Sequence, residues 1–335
     1  MTAPVDAGEL KALGRASGLD AVGVTGAEPF GETRRLLHER RTAGLHGGMQ
    51  FTYRNPERST DPRRALAGAQ SIVVGARRYP PSRPPRRGAR VAAYAREDHY
   101  ATLRDALGIV AARLETSGWK ARVLVDDNAL VDREAAYRAG IGWYGKSTNL
   151  LLPGEGSWFV LGSVLTTAPL EHDEAPVADG CGACRRCIDG CPTGAIVAPG
   201  VVDARRCLAW LLQAKGDFPV EHRAALGDRI YGCDECQEVC PPNRRAEWAG
   251  QPGEGVDVVE LLRADDDELL ERFGRWYIPA RDPRYLRRNA LVVLGNTAWP
   301  DDRAACSTIE RYRRDPDPML RSHAEWAAQR VAARA

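Results

Sequence analysis

Cys181-x2-Cys184-x2-Cys187-x3-Cys191-Pro192, followed by Cys233-x2-Cys236-x3-Cys240-Pro241, is the stretch that decides how this chain is read. Three thiolates at x2 spacing wrap one face of a cubane. The cysteine after the x3 gap, with proline behind it, points away to a neighbouring cluster. The second run is one cysteine short, and Cys207 lies between the runs to fill that place. Counting then assigns Cys181, Cys184, Cys187 and Cys240 to one [4Fe–4S] cluster. Cys191, Cys207, Cys233 and Cys236 go to a second. Only Cys306 is left over, in a helical pattern where a free thiol is an ordinary core residue. Zinc also takes four cysteines at CxxC spacing, but the doubled x3-Cys-Pro endings favour iron–sulfur. Two clusters with interleaved ligands make an electron wire of low potential, so the rest of the chain has to use the electrons.

That rest is large. The chain has 335 residues, too long for a bare electron carrier and enough for two or three domains. A chain of this length buries a core without staples, so the cysteines are not there for stability. The formal net charge of +2 argues against a nucleic-acid binder by bulk composition. Arginine nonetheless crowds into Arg77–Arg90 and the C-terminal part, and a polyanion feels patches. The N-terminus, MTAPVDAGELKALGRASG, has no apolar h-region, and no apolar run approaches the ~20 residues of a membrane span. A cytoplasmic protein with no membrane association is expected. In a reducing cytosol, clustered cysteines are more often metal ligands or redox groups than disulfides.

Toward the N-terminus, helix and strand signals alternate. Residues 7–18 read as a helix and Ala21–Thr25 as a short strand. Ser71–Ala76 (SIVVGA) and Trp158–Leu165 (WFVLGSVL) read as buried strands. Leu103, Leu107, Val110 and Leu114 recur at helical spacing over 101–116, Gly118 ends that helix, and Arg122–Val125 is the next strand. The fold class is α/β (α+β), multidomain, with an α/β domain over 1–170, a two-cluster domain over 171–245 and a helical domain over 246–335. Tyr79–Arg90 (YPPSRPPRRGAR) reads as a solvated irregular loop, and His172–Asp179 as a linker. In the C-terminal part, Leu286-Arg287-x-x-Ala290-x-x-x-Leu294 matches Leu320-Arg321-x-x-Ala324-x-x-x-Ala328, each after an Asp-Pro pair. Helical repeats and a coincidental pair of amphipathic helices both account for the match.

Between strand 122–125 and strand 158–165 stand Val125-Asp126-Asp127-Asn128-Ala129-Leu130-Val131-Asp132-Arg133 and Arg138-Ala139-Gly140-Ile141-Gly142-Trp143-Tyr144-Gly145-Lys146-Ser147-Thr148-Asn149. With Asn55-Pro56-Glu57-Arg58, Tyr94-Ala95-Arg96-x-Asp98, Gly156-Ser157-Trp158-Phe159 and Cys207-Leu208 through Lys215-Gly216, this sequence resembles the epoxyqueuosine reductases, over essentially the whole chain and in order. The resemblance implies a nitroreductase-like cobalamin-binding domain, a ferredoxin-like two-cluster domain and a C-terminal α-helical HEAT-like domain that helps hold tRNA. It also implies the reaction: epoxyqueuosine at the tRNA wobble position loses its epoxide oxygen, through cobalamin reduced by the clusters and an acid that protonates the departing oxygen. The implied partners are a tRNA anticodon stem-loop bearing epoxyqueuosine and a low-potential electron donor, with the protein acting as a monomer.

The resemblance places the acid at Asp132. Asp126 and Asp127 are nearby alternatives, and Asp127 also suits a turn at the strand end. Without the family, Asp132–Arg133 reads as a helix start or a surface ion pair. Arg58 and Tyr94 are carried over as cobalamin contacts. Lys146, Ser147, Thr148 and Asn149 can bind corrin amides or the nucleotide phosphate. Ser157 lies in a matching block, and Gln213 and Lys215 can reach the corrin from the cluster domain. No Asp-x-His-x-x-Gly sequence occurs, so base-off cobalamin without a histidine from the chain is expected. No GxGxxG unit follows a strand, which argues against direct hydride delivery. Asp98-His99-Tyr100 departs from the family's common Asp-Tyr-His, leaving roles for His99 and Tyr100 open. Candidate tRNA contacts are Arg281, Arg284, Arg287, Arg288, Arg313, Arg314 and Arg321, although singly such arginines often just solvate a helix face. Two other readings are a reductive-dehalogenase-like cobalamin reductase and a ferredoxin-type electron carrier.

Overall fold

In the computed structural model, which describes residues 2–81, 83–173, 177–245 and 254–334, the buried run Ser71–Arg78 is the middle of a four-stranded sheet. Only the elements used below are labelled. The strands are β1 (Ala21–Gly26), β2 (Ser71–Arg78), β3 (Ala121–Val125) and β4 (Phe159–Thr166), in the order β1-β2-β4-β3. Every neighbouring pair is antiparallel, so the first part is α+β rather than a parallel α/β sheet. Helices α1 (Ala7–Ala16) and α2 (His99–Thr116) cover one face, where Leu10, Leu103, Leu107 and Val110 pack with Val73 and Val164. On the other face Ala135 and Ala136 of α3 (Asp132–Arg138) join Ile72, Val74 and Leu165. Both faces of β2 are thus covered, which is why its sequence is continuously apolar instead of alternating.

Two glycines set the depth of this packing. Gly75 and Gly162 face each other in the β2–β4 register. A Cβ on Gly162 would sit 2.7 Å from Leu107, and one on Gly75 would sit 2.8 Å from Leu19. α2 therefore rests directly on the backbone of the two central strands.

The cluster segment and the C-terminal helices share one core. Leu208, Leu212, Phe218, Leu226 and Ile230 pack with residues of α4 (Arg284–Thr297), α5 (Arg303–Tyr312) and α6 (Pro318–Ala332), among them Leu286, Leu294, Ile309 and Leu320. The two matching segments are α4 and α6. A Cβ on Gly295 of α4 would lie 2.9 Å from the Ala327 Cα of α6, so the helices touch backbone to backbone. Asp317 caps α6 through the N–H groups of Met319 and Leu320, with Pro318 at the first helical turn, which is what the Asp-Pro pair encodes. Arg229–Tyr231 pairs in parallel with Arg90–Val91 and ties this half to the first.

Several expectations need restating. Arg288, a candidate tRNA contact, has no exposed surface and is part of the interior. Cys306 is half-buried, with its Sγ near the carbonyls of Trp299 and Pro300. The expected domain boundary at 245/246 borders residues 246–253, and the linker His172–Asp179 includes 174–176; both segments lie outside the described residues. No helix among the described residues is long and apolar enough to cross a membrane.

Candidate active site and cluster module

The seven thiols of the two motifs and that of Cys207 between them are all half-buried and unpaired by disulfides. Burial pushes Cys187, Cys207, Cys236, Cys233 (to about 12) and Cys240 (to about 11) upward, and neighbouring thiols add to it. Which thiols act on which is informative. Cys240 feels Cys187, Cys181 and Cys184, whereas Cys233 feels Cys207 and Cys191. Cys236 feels Cys233 and Cys207, and also Cys187 across the gap. Cys240 is thus influenced by the thiols of the first motif, and Cys233 and Cys236 by Cys207. Among the described residues no three His, Cys, Asp or Glu side chains converge on a point for a single metal ion. A cubane does not ask for that convergence, since each thiolate binds its own corner iron. Thiols that repel one another's ionisation suit a cationic cluster, which relieves the repulsion as it deprotonates them.

Asp132 opens α3, immediately after the turn that leaves β3. The turn is built by its neighbours. Asp126 adopts φ 51, in the left-handed region, and the Asp127 Oδ1 accepts the Ala129 N–H at 2.8 Å. Asp127 is thus a turn residue, also 4.0 Å from the Arg58 guanidinium and 3.9 Å from that of Arg122. The Val131 N–H, donated to the Ser59 carbonyl at 3.0 Å, pins the start of α3. Asp132 Oδ1 is shielded from solvent and has no hydrogen-bond partner. Burial holds the Asp132 carboxyl well above the usual carboxylate range, reinforced by Asp126 and only partly opposed by Arg133. A helix N-terminus ordinarily favours an ionised Asp, so desolvation wins here.

Beyond burial, Tyr100 feels the Asp126 and Asp132 carboxyls and Tyr231, and Tyr94 in turn feels Tyr231, Tyr100 and Asp234. The Tyr100 phenol is raised first by burial and then by Asp126 and Asp132. Tyr94 receives a hydrogen bond from Gln213 Nε2 at 3.4 Å and lies 6.4 Å from the Tyr231 ring. His99 stacks on Tyr79 at 5.2 Å. Asp234, between two cluster cysteines, accepts the Ala93 N–H at 2.7 Å, keeps a second buried oxygen without a partner, and is raised by burial to about 6. Sequence reading left a role for Tyr100 open, read Arg133 only as part of a helix start or ion pair, and did not single out Tyr231 or Asp234. Tyr100 was accessible, because Asp98 caps α2 and so fixes the first turn of that helix.

Other expected contacts face elsewhere. Lys146 Nζ donates to the carbonyls of Gly182 and Cys184, and Asn149 Nδ2 donates to Cys236 Sγ, so both address the cluster loops. Ser157 is buried, bonded to Gln237 and Asn243 behind Cys236 and Cys240. Arg58 and Lys215 are exposed, and Ser147 and Thr148 are half-buried in the loop after Trp143–Tyr144.

A family model described as a 4Fe-4S double cluster binding domain matches residues 180–243. A curated epoxyqueuosine reductase of Bacillus anthracis is 34% identical over 96% of this chain and 87% of its own length. That of Xanthomonas campestris pv. campestris is 34% identical, covering 97% and 96%. A crystal structure of epoxyqueuosine reductase with a tRNA-Tyr epoxyqueuosine-modified tRNA stem loop superposes with a TM-score of 0.87 at 31% identity, covering 97% of this chain and 89% of that one. A Bacillus subtilis epoxyqueuosine reductase whose catalytic aspartate loop is swung out of the active site gives a TM-score of 0.82 at 31% identity, covering 97% and 90%.

Proposed function

This chain belongs to the epoxyqueuosine reductase family, tRNA-modifying oxidoreductases, and from that premise we propose that it converts epoxyqueuosine to queuosine at the wobble position of tRNA, using two [4Fe–4S] clusters, cobalamin and Asp132 as the acid. The observation that supports this most directly is the Asp132 carboxyl, which burial raises well above the usual carboxylate range and whose Oδ1 is shielded from solvent without a hydrogen-bond partner. The relative with a swung-out loop carries a catalytic aspartate on it, and Asp132 is this chain's counterpart in the reading above.

The reaction balances as two electrons and two protons taken up by the epoxide, leaving an alkene and one water. Each cluster carries one electron, so the two together match the demand. Cobalamin, when bound, supplies the strongly reducing centre that acts on the epoxide. Its contacts in this chain would be Arg58, Tyr94, Ser147, Gln213 and Lys215. Lys146, Asn149 and Ser157 form the wall toward the clusters. The lack of an Asp-x-His-x-x-Gly sequence supports the base-off form, with no histidine ligand from the chain.

The protein's own part is proton delivery and exclusion of water. Asp132 donates its proton to the oxygen as the carbon–oxygen bond breaks, and Arg133 stabilises the carboxylate left behind. The first part of the chain is read as the nitroreductase-like cobalamin domain, the cysteine segment as ferredoxin-like, and α4–α6 as HEAT-like. The tRNA stem-loop would lie on exposed arginines such as Arg281, Arg284, Arg313, Arg314 and Arg321. Arg287, half-buried and paired with Asp266, contributes less. Binding by phosphate neutralisation weakens steeply with salt.

The test is anaerobic incubation of the iron-reconstituted protein with cobalamin, a low-potential reductant and tRNA bearing epoxyqueuosine. Queuosine is expected in the nucleoside digest; unchanged epoxyqueuosine, with clusters and cobalamin bound, would refute the reading.

A further inference from the structure

We propose that the hairpin loop Gly145–Asn149 sets the reduction potentials of both clusters, Lys146 raising that of the first and Asn149 that of the second. This rests on the reading of the eight cysteines as two [4Fe–4S] ligand sets.

The loop is rigid. Its flanking strands Trp143–Tyr144 and Leu150–Leu151 pair antiparallel, and Gly145 N–H donates to the Asn149 carbonyl at 2.8 Å. Thr148 turns the chain at φ 68, with its N–H on the Gly145 carbonyl at 2.9 Å. The Lys146 carbonyl accepts the Gly200 N–H at 3.0 Å, which fastens the loop to the cluster module.

From this platform two side chains reach different clusters. Lys146 Nζ donates to Gly182 O at 2.5 Å and Cys184 O at 2.9 Å, inside the Cys181–Cys187 ligand loop. Asn149 Nδ2 donates to Cys236 Sγ at 3.7 Å, in the other group.

The consequence is electrostatic. A cluster that accepts an electron gains one negative charge, shared with its thiolates. An ammonium held against a ligand loop, and an N–H donated to a ligand sulfur, both stabilise that reduced form more than the oxidised one. Each raises the potential of its own cluster. Because the two contacts belong to one loop but different clusters, the gradient between donor and active site depends on both.

EPR-monitored redox titration of the reconstituted full chain tests this. Lys146→Met is expected to lower the potential of one cluster and leave the other in place, and Asn149→Leu to lower the other alone. Lys146→Arg, which keeps the cation, should restore most of the first shift. Full iron content is verified for each variant by chemical analysis. Unshifted potentials in both variants, or an equal fall at both clusters from either, would overturn the proposal. If Lys146→Met does not retain iron, Asn149→Leu and Lys146→Arg still decide it. Wild-type protein with no cluster signal would instead sink the ligand assignment beneath it.

Discussion

The guanidinium of Arg288 on α4 donates to the carbonyl of Gly216 at 2.6 Å, from a position with no solvent exposure. It also donates to the carbonyls of Ala214 at 2.7 Å, Leu211 at 3.0 Å and Leu212 at 3.3 Å. One C-terminal side chain thus holds the loop that carries Gln213 and Lys215. Burial brings the Arg288 pKa down to about 10, so it stays charged at neutral pH with carbonyls as its partners.

Arg288→Met leaves the carbonyls of Ala214 and Gly216 without their donor, while Leu212 keeps the Asn289 amide and Leu211 keeps the Ala214 N–H. Unsatisfied buried groups cost about 1–3 kcal/mol each, partly offset by removal of a buried charge. The variant should lose at least about 2 kcal/mol of stability, read from the urea midpoint. Arg321→Met, at an exposed residue on α6, should change stability by less than about 1 kcal/mol.

His323 of α6 braces the same loop from a fully buried position. Its Nε2 accepts the Phe218 N–H at 3.1 Å, and its Nδ1 donates to the Met319 carbonyl at 2.7 Å, so the ring is neutral. Burial, with Arg223 and Arg288 nearby and Asp217 only partly opposing, lowers it to about 4. The unfolded chain takes up the proton near pH ~6.5 and the native state only near 4, so stability is present above that window and lost as pH falls through it. The loss should reach about 3 kcal/mol, measured by denaturant titration at successive pH values. His323→Gln should flatten the profile.

Asp132 carries the opposite sign. Its native pKa is raised, so the unfolded state ionises first and the folded state loses stability as pH rises above about 4. Asp132→Asn removes that penalty. Its melting temperature should exceed that of the wild type, by a margin that grows with pH.

Cys207 separates the iron–sulfur assignment from a structural role. Cys207→Ala should drop iron from about eight to about four per chain, whereas Cys306→Ala should keep all eight. Equal iron in both would reassign the ligands.

Much of this was legible because it is local. Cysteine spacing carries the double-cluster domain over residues 180–243, SIVVGA carries a strand covered on both faces, and an Asp-Pro pair carries the start of α6. What was not legible depends on partners far along the chain. Nothing near Arg288 says that its guanidinium ends among carbonyls of residues 211–216, and a periodic helix makes any arginine look solvated. Lys146 looked like a ligand-binding residue of a Gly-rich turn, but its acceptors lie in the Cys181–Cys187 loop. The strand order, antiparallel throughout, depends on long connections that periodicity does not encode.

The central claim is that Asp132 is the acid of an epoxyqueuosine reduction. It is tested most directly by single-turnover conversion of epoxyqueuosine tRNA by wild-type and Asp132→Asn proteins, both with iron and cobalamin content verified, followed by nucleoside mass spectrometry. The account expects queuosine, lighter by one oxygen, from the wild type and unconverted epoxyqueuosine from the variant. Equal conversion by the two proteins would contradict it.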